Sequence, residues 1–161
     1  MPQLGSYDGL DFRVKWDGKY VSGVSRIGPI LRTTEVTPFR AGSAPAVENL
    51  SPGATTFQPI TIERPRTLDT TFEDWANLLV SLNNLGAPEP AQTTSFRKNI
   101  TLDLYNGAGQ LILSFNIYQC WPSSYEPVCN LETDSPAVVL ERLTLQNEGW
   151  ARDTSVVPPA S

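Results

Sequence analysis

The chain has 161 residues, 40% hydrophobic and 18% charged, with a formal net charge of −5 and no histidine. This length suits one domain with a real core. The apolar stretches fall short of a bilayer span, and the negative balance argues against a phosphate-binding surface. Without histidine the commonest proton shuttle, metal ligand and triad base is missing, which argues against an enzyme. Cys120 and Cys129 stand nine positions apart and match neither a redox CxxC nor a zinc-ligand set. No metal and no cofactor is expected. Met1–Gly5 carries no basic, then apolar, leader, so synthesis is expected to end in the cytoplasm. There the two thiols default to the reduced state, with pairing across a short loop as the alternative.

Elements follow in chain order. From Asp11 to Val24, Phe12, Val14 and Trp16 alternate with polar residues, and Asp17-Gly18 supplies a tight turn before Tyr20 and Val21; this reads as a hairpin. Ile30–Phe39, rich in β-branched residues, reads as a third strand. Residues 40–56 carry Gly42, Pro45, Pro52 and Gly53 without a periodic apolar face and read as a long loop. Phe57–Arg64 resumes the strand pattern, with Ile60 and Ile62 on one face and Thr61 and Glu63 on the other, until Pro65 ends it.

Asp69 or Thr70 can then cap a helix whose stripe is Phe72, Trp75, Leu79 and Leu82, closed by Gly86 and Pro88. Trp75, Leu79 and Leu82 are expected to pack on the core, as is Trp121. Ile100, Leu102 and Leu104 alternate with Asn99, Thr101 and Asp103. Asn106–Gly109 turns the chain, and Leu111, Leu113, Phe115 and Ile117 alternate with Ser114, Asn116 and Tyr118. Residues 137–146 form a last strand before a polar tail. The fold class is mainly β, an antiparallel sandwich or barrel with one flanking α-helix, occupying residues 1–161 with a core of about 10–150 and a tail at 151–161.

Several segments in order resemble one family: Phe12-Arg13-Val14, the Gly23–Gly28 stretch, Glu35 leading to Phe39-Arg40-Ala41-Gly42, Ser51-Pro52-Gly53, and Ile60-Thr61-Ile62-Glu63-Arg64. Trp75 on the helix, the Gly109 hairpin, Cys120-Trp121-Pro122, Glu141-Arg142-Leu143-Thr144-Leu145 and Glu148-Gly149 continue the match from about Phe12 to Trp150. The chain is similar to the inner tube subunits of contractile phage tails and bacterial contractile injection systems. Pro65 and Phe115 depart from the family pattern, which commonly has Gly and Trp there.

The resemblance implies a barrel-like subunit assembling as homohexameric rings, stacked into a tube within a sheath and bounded by baseplate and terminator proteins. DNA or effector protein would pass through the lumen, in a phage tail or a phage-tail-like particle. The long loop, with Arg40, Gly42, Pro45, Pro52 and Gly53, is then expected to stack rings. Glu63, Asn99, Thr101, Asp103 and Asn116 lie on polar strand faces and are expected either to line the lumen or simply to face solvent. Two other classes remain open from residues alone. One is a monomeric sandwich or lipocalin-like ligand carrier with Trp16, Trp75 and Trp121 around a pocket; the other is an enzyme, which would need a carboxylate pair such as Glu141 with Asp134.

Overall fold

The computed structural model describes residues 9–39, 49–84, 96–129, 131, 133–134 and 138–159, with the backbone alone for residues 81–84. Strand β1 (Asp11–Trp16) turns into β2 (Lys19–Tyr20) through Asp17 and Gly18, both at positive φ, 53° and 74°. These torsions make the two-residue turn expected of Asp-Gly, whose twist matches its flanking strands. There follow β3 (Arg26–Ile27), β4 (Arg32–Phe39), β5 (Asn49–Phe57), β6 (Ile60–Pro65), helix α1 (Thr71–Asn84), β7 (Lys98–Tyr105), β8 (Leu111–Cys129), β9 (Leu140–Gln146) and β10 (Gly149–Arg152). Among the described residues, one eight-stranded antiparallel sheet runs β2-β1-β7-β8-β9-β6-β3 with β10 also on β8, and β4 and β5 form a separate two-stranded ribbon.

With 19 residues, β8 serves two parts of the sheet. Its first part pairs with β7 and β10, and from Trp121 onward it pairs with β9. The exchange falls at Gln119, where a φ of 53° interrupts the extended run. The freed N–H of Gln119 donates to Asn99 Oδ1 at 3.0 Å, so the bend leaves no orphaned donor there.

Alternation along the strands sends one face inward. Val14, Trp16, Ile100, Leu102 and Ile117 meet Ile60, Ile62, Leu143 and Leu145 in one buried core. Helix α1 adds Phe72 and Trp75; the Trp16 ring lies 5.1 Å from that of Trp75 and 5.8 Å from that of Phe72. The Trp75 indole N–H donates to the Phe96 carbonyl at 2.7 Å, which satisfies its polar atom inside the core. The helix begins as anticipated. Asp69 Oδ1 accepts the Thr71 N–H at 2.9 Å, and the Thr70 hydroxyl donates to Asp74 Oδ2 at 3.0 Å.

Four expectations are corrected. Residues 49–56 are part of strand β5, because Thr and Asn residues that look like loop composition find a partner in β4; residues 40–48, including Arg40, Gly42 and Pro45, lie outside the described residues. The second hairpin strand does not stop near Tyr118 but continues through the Cys120-Trp121-Pro122 corner. Residues 149–152 of the supposed tail border pair with β8 as β10. Finally, Leu79 and Trp121 are half-buried rather than central, lining a groove of about 600 Å³ between α1 and β8, because the helix enters the core through Phe72 and Trp75 near its start. The Leu82 side chain lies outside the described set.

Trp75→Ala removes an indole that is 2% exposed together with its hydrogen bond. Denaturant melts should show a loss of about 3–5 kcal/mol, and a loss under about 1 kcal/mol would contradict this packing.

Candidate functional site

Three features of the surface and its support bear on function: an ion cluster that fixes the helix, two polar sheet faces, and the β4–β5 ribbon. In the cluster, Arg64 and Glu141 are register partners on β6 and β9, and both point into the core. The Arg64 guanidinium donates to Glu141 Oε1, to Asp69 Oδ2 at 3.2 Å, to the Asp69 carbonyl at 2.9 Å and to the Ser22 carbonyl at 3.3 Å, and lies 4.2 Å over the Phe72 ring. Glu141 also accepts from Arg66 at 2.7 Å and from the Tyr125 hydroxyl at 2.9 Å. A buried charge is tolerable only when it is fully partnered in this way. The cluster ties β6, β9 and the segment before β3 to the start of α1. Glu141 is thus committed to two arginines and buried, whereas Asp134 is exposed.

The residues expected to line a lumen fall on two different faces. Thr101, Asp103 and Asn116 share the outer face of β1, β7 and β8. Asp103 there is 6% exposed, accepting from Ser114 at 2.7 Å and Tyr20 at 3.0 Å, while Thr101 donates to Asn116 at 3.3 Å. Hydrogen bonds with Tyr105 and Asp103 raise the Tyr20 phenol well above its ordinary pKa. Asn99 is occupied with Gln119. Glu63 sits instead on the outer face of β6, bound to Arg142 at 2.8 Å. Because both inner faces meet in one core, these two outer faces point away from it in different directions.

Every residue of β4 and β5 is exposed except Phe57, which is half-buried. The ribbon pairs from Arg32 with Phe57 out to Phe39 with Asn49, with a bulge where Thr34 faces Thr55 and Val36 faces Pro52. Gly53 lies in that bulge. A Cβ there would come within 3.1 Å of Glu35 Cβ and Thr37 Oγ1, so a side chain would have to push the facing strand back by a few tenths of an ångström. Pro52 is compatible with a ribbon whose outer side needs no ladder donor. Val36, Phe39 and Leu50 stand exposed on this arm. Its base is fixed by Trp150, whose ring meets Phe57 and Phe115 edge-on at 6.1 Å each and carries the Arg32 guanidinium at 5.2 Å. Trp16, Trp75 and Trp121 do not surround one pocket: the first two pack against each other and Trp121 borders the groove.

The model of the family described as T4-like virus tail tube protein gp19 matches residues 9–151. The chain belongs to this family. Solved structures agree in fold. A chain of the PVC sheath/tube terminator in the extended state, from an extracellular contractile injection system, shares 18% identity at a TM-score of 0.71, covering 89% of this chain and 93% of that one. A chain of the anti-feeding prophage tube-terminating cap gives 17% and 0.71, with 89% and 87% covered. A chain of the PVC sheath–tube complex in the extended state gives 18% and 0.69, with 88% and 87% covered. No curated protein matches by sequence.

The tube subunit's sequence marked Ser51-Pro52-Gly53 as loop where the structure has strand β5, and it signalled neither the Arg64–Glu141–Asp69 cluster nor the Trp150 anchor. Their spacing of tens of residues becomes contact only once the β6–β9 and β8–β10 registers are known. A buried Arg at the end of an apolar strand, with a Glu opening another, is the one trace available in the sequence.

Two predictions follow from the cluster. Glu141→Ala strands a buried guanidinium and should cost about 3–5 kcal/mol in denaturant melts, whereas Glu126→Ala, an outer and nearly half-exposed partner of Arg142, should cost under about 1 kcal/mol. Asp69 is held at about 2, from 3.8, by the Thr71 hydroxyl and N–H with Arg64 adding. Its contribution is therefore complete above about pH 4 and is lost as pH falls toward 2. Acid melts of Asp69→Asn should lack that limb.

Proposed function

We infer that this subunit builds the inner tube of a contractile particle, as homohexameric rings stacked along one axis, with the β4–β5 arm reaching the adjacent ring. The observation that carries the reading is the arm itself. A ribbon of two strands has little stability alone in water, yet this one extends with Val36, Phe39 and Leu50 uncovered, which makes sense when a second copy covers them. Family membership and the tube and sheath assemblies named for the related folds support it.

On this reading the whole chain, residues 1–161, acts as one tail-tube domain. A sheath surrounds the tube, baseplate and terminator proteins bound it, and DNA or effector protein passes through the lumen. One polar face, with either Glu63 or Thr101, Asp103 and Asn116, forms the wall along which cargo slides. The work is conduction, with no catalytic step assigned to any residue. The particle is a phage tail or an injection system, and no helix among the described residues is long and apolar enough to cross a membrane.

Replacing residues 36–53 by a short Gly-Ser turn keeps the Trp150 anchor and adds little loop-closure cost. Such a variant should melt within about 1 kcal/mol of wild type, and with its assembly initiator should give single rings in negative-stain micrographs. Tubes of normal length would overturn the stacking role.

A further inference from the structure

Strand β8 passes from one half of the sheet to the other through a bulge. Lys98 faces Cys120 and Ile100 faces Ile117, so the single residue Asn99 stands opposite both Tyr118 and Gln119. Gln119 holds a φ of 53°, a left-handed torsion that glycine takes freely and other residues seldom take. Two residues against one, with the second strand bent at that point, is what a bulge does to a strand. Burial does not hold the torsion, since Gln119 is exposed. A hydrogen bond does: the Gln119 N–H donates to Asn99 Oδ1 at 3.0 Å, while the neighbouring Tyr118 carbonyl accepts the Glu148 N–H at 3.0 Å.

The root of the arm touches both halves. Along the chain β4 follows β3 and β5 leads into β6, so the arm is tethered to the second half of the sheet. Its base, however, rests on the first half: Phe57 packs over Gly149 and edge-on to Trp150 of β10, whose ring also meets Phe115 of β8. Asn147 fastens the root further, donating to the Gln58 carbonyl at 3.0 Å. The angle that β8 makes at Gln119 therefore sets the direction in which the arm leaves the subunit. We propose that Asn99 is a positioning residue for the arm, fixing that angle by holding Gln119 in its left-handed torsion. This rests on the tube reading above. The lever is long: the eight residues of β4 extend about 26 Å, so a change of about 10° at the root moves the tip by about 4–5 Å, close to one strand spacing. An arm displaced that far misses its place on the adjacent ring.

The test separates the torsion from the side chain. Gln119→Gly removes the side chain and keeps the torsion; Gln119→Val removes it and opposes the torsion, which β-branched residues tolerate worst. With the assembly initiator, Gln119→Gly should give as many tubes as wild type in negative-stain micrographs, at the same ring spacing. Gln119→Val and Asn99→Ala should give rings but about two- to tenfold fewer tubes, the range that one net hydrogen bond commands, and Asn99→Asp, which keeps the acceptor, should restore them. Equal tube yield and spacing from Gln119→Gly, Gln119→Val and Asn99→Ala would overturn the proposal. So would an equal loss from Gln119→Gly and Gln119→Val, which would place the effect in the side chain. A loss no larger than the unfolded fraction seen in melts would overturn it as well. Should Gln119→Val fail to fold, the Asn99→Ala and Asn99→Asp pair decides alone. If wild type itself gives no tubes, the tube reading fails and this assignment with it.

Discussion

A strand of 19 residues cannot stay straight inside a subunit of this size. Fully extended, β8 would span about 60 Å, far beyond the core formed by Val14, Ile62, Ile117 and Leu143. It must bend, and it bends where Gln119 adopts a positive φ and Asn99 receives its amide. Everything else follows that bend. The first part of β8 gathers β7, β1 and β10, the second gathers β9, β6 and β3, and the inner faces of both close on one core. Because β8 is the shared strand, the two groups cannot slide independently.

The curled sheet would still be open at one side without α1. Phe72 and Trp75 enter there, and Arg64 locks the helix start to β9 through Asp69 and Glu141. Apolar residues alone would fill the volume as well, but the fan of fixed donors on Arg64 admits one placement of the helix. The closed interior contrasts with the periphery, where the arm carries the exposed apolar residues Val36, Phe39 and Leu50. The subunit is complete as a fold and incomplete as a surface, which is how a part of a larger assembly differs from a free carrier.

Much of this was legible in the chain. The Asp17-Gly18 turn, the Ile60/Ile62 face, the helix at residues 71–84 and the Asn106–Gly109 turn all rest on local rules of torsion and period, and the structure has each of them. The corrections share another origin. Strand β5 has the composition of a loop because it packs against no core, so alternation between buried and exposed has no reason to appear. The continuation of β8 through Trp121-Pro122 is hidden because Pro122 signals an end, yet the strand changes neighbours there and proline is accommodated. Glu63 and Asp103 look alike as polar alternates, but which face each occupies depends on the bend. Charge pairing across β6 and β9 depends likewise on a register that only the folded sheet provides.

On the proposed reading, the exposed arm is covered by other copies in the assembled tube. Hydrogen–deuterium exchange, measured on the free subunit and on assembled tubes, tests it directly. Core amides of β6, β7 and β9 should be protected in both states. Those of the β4–β5 arm should exchange quickly in the free subunit and slow markedly on assembly. Equal exchange of the arm amides in the two states would contradict the account.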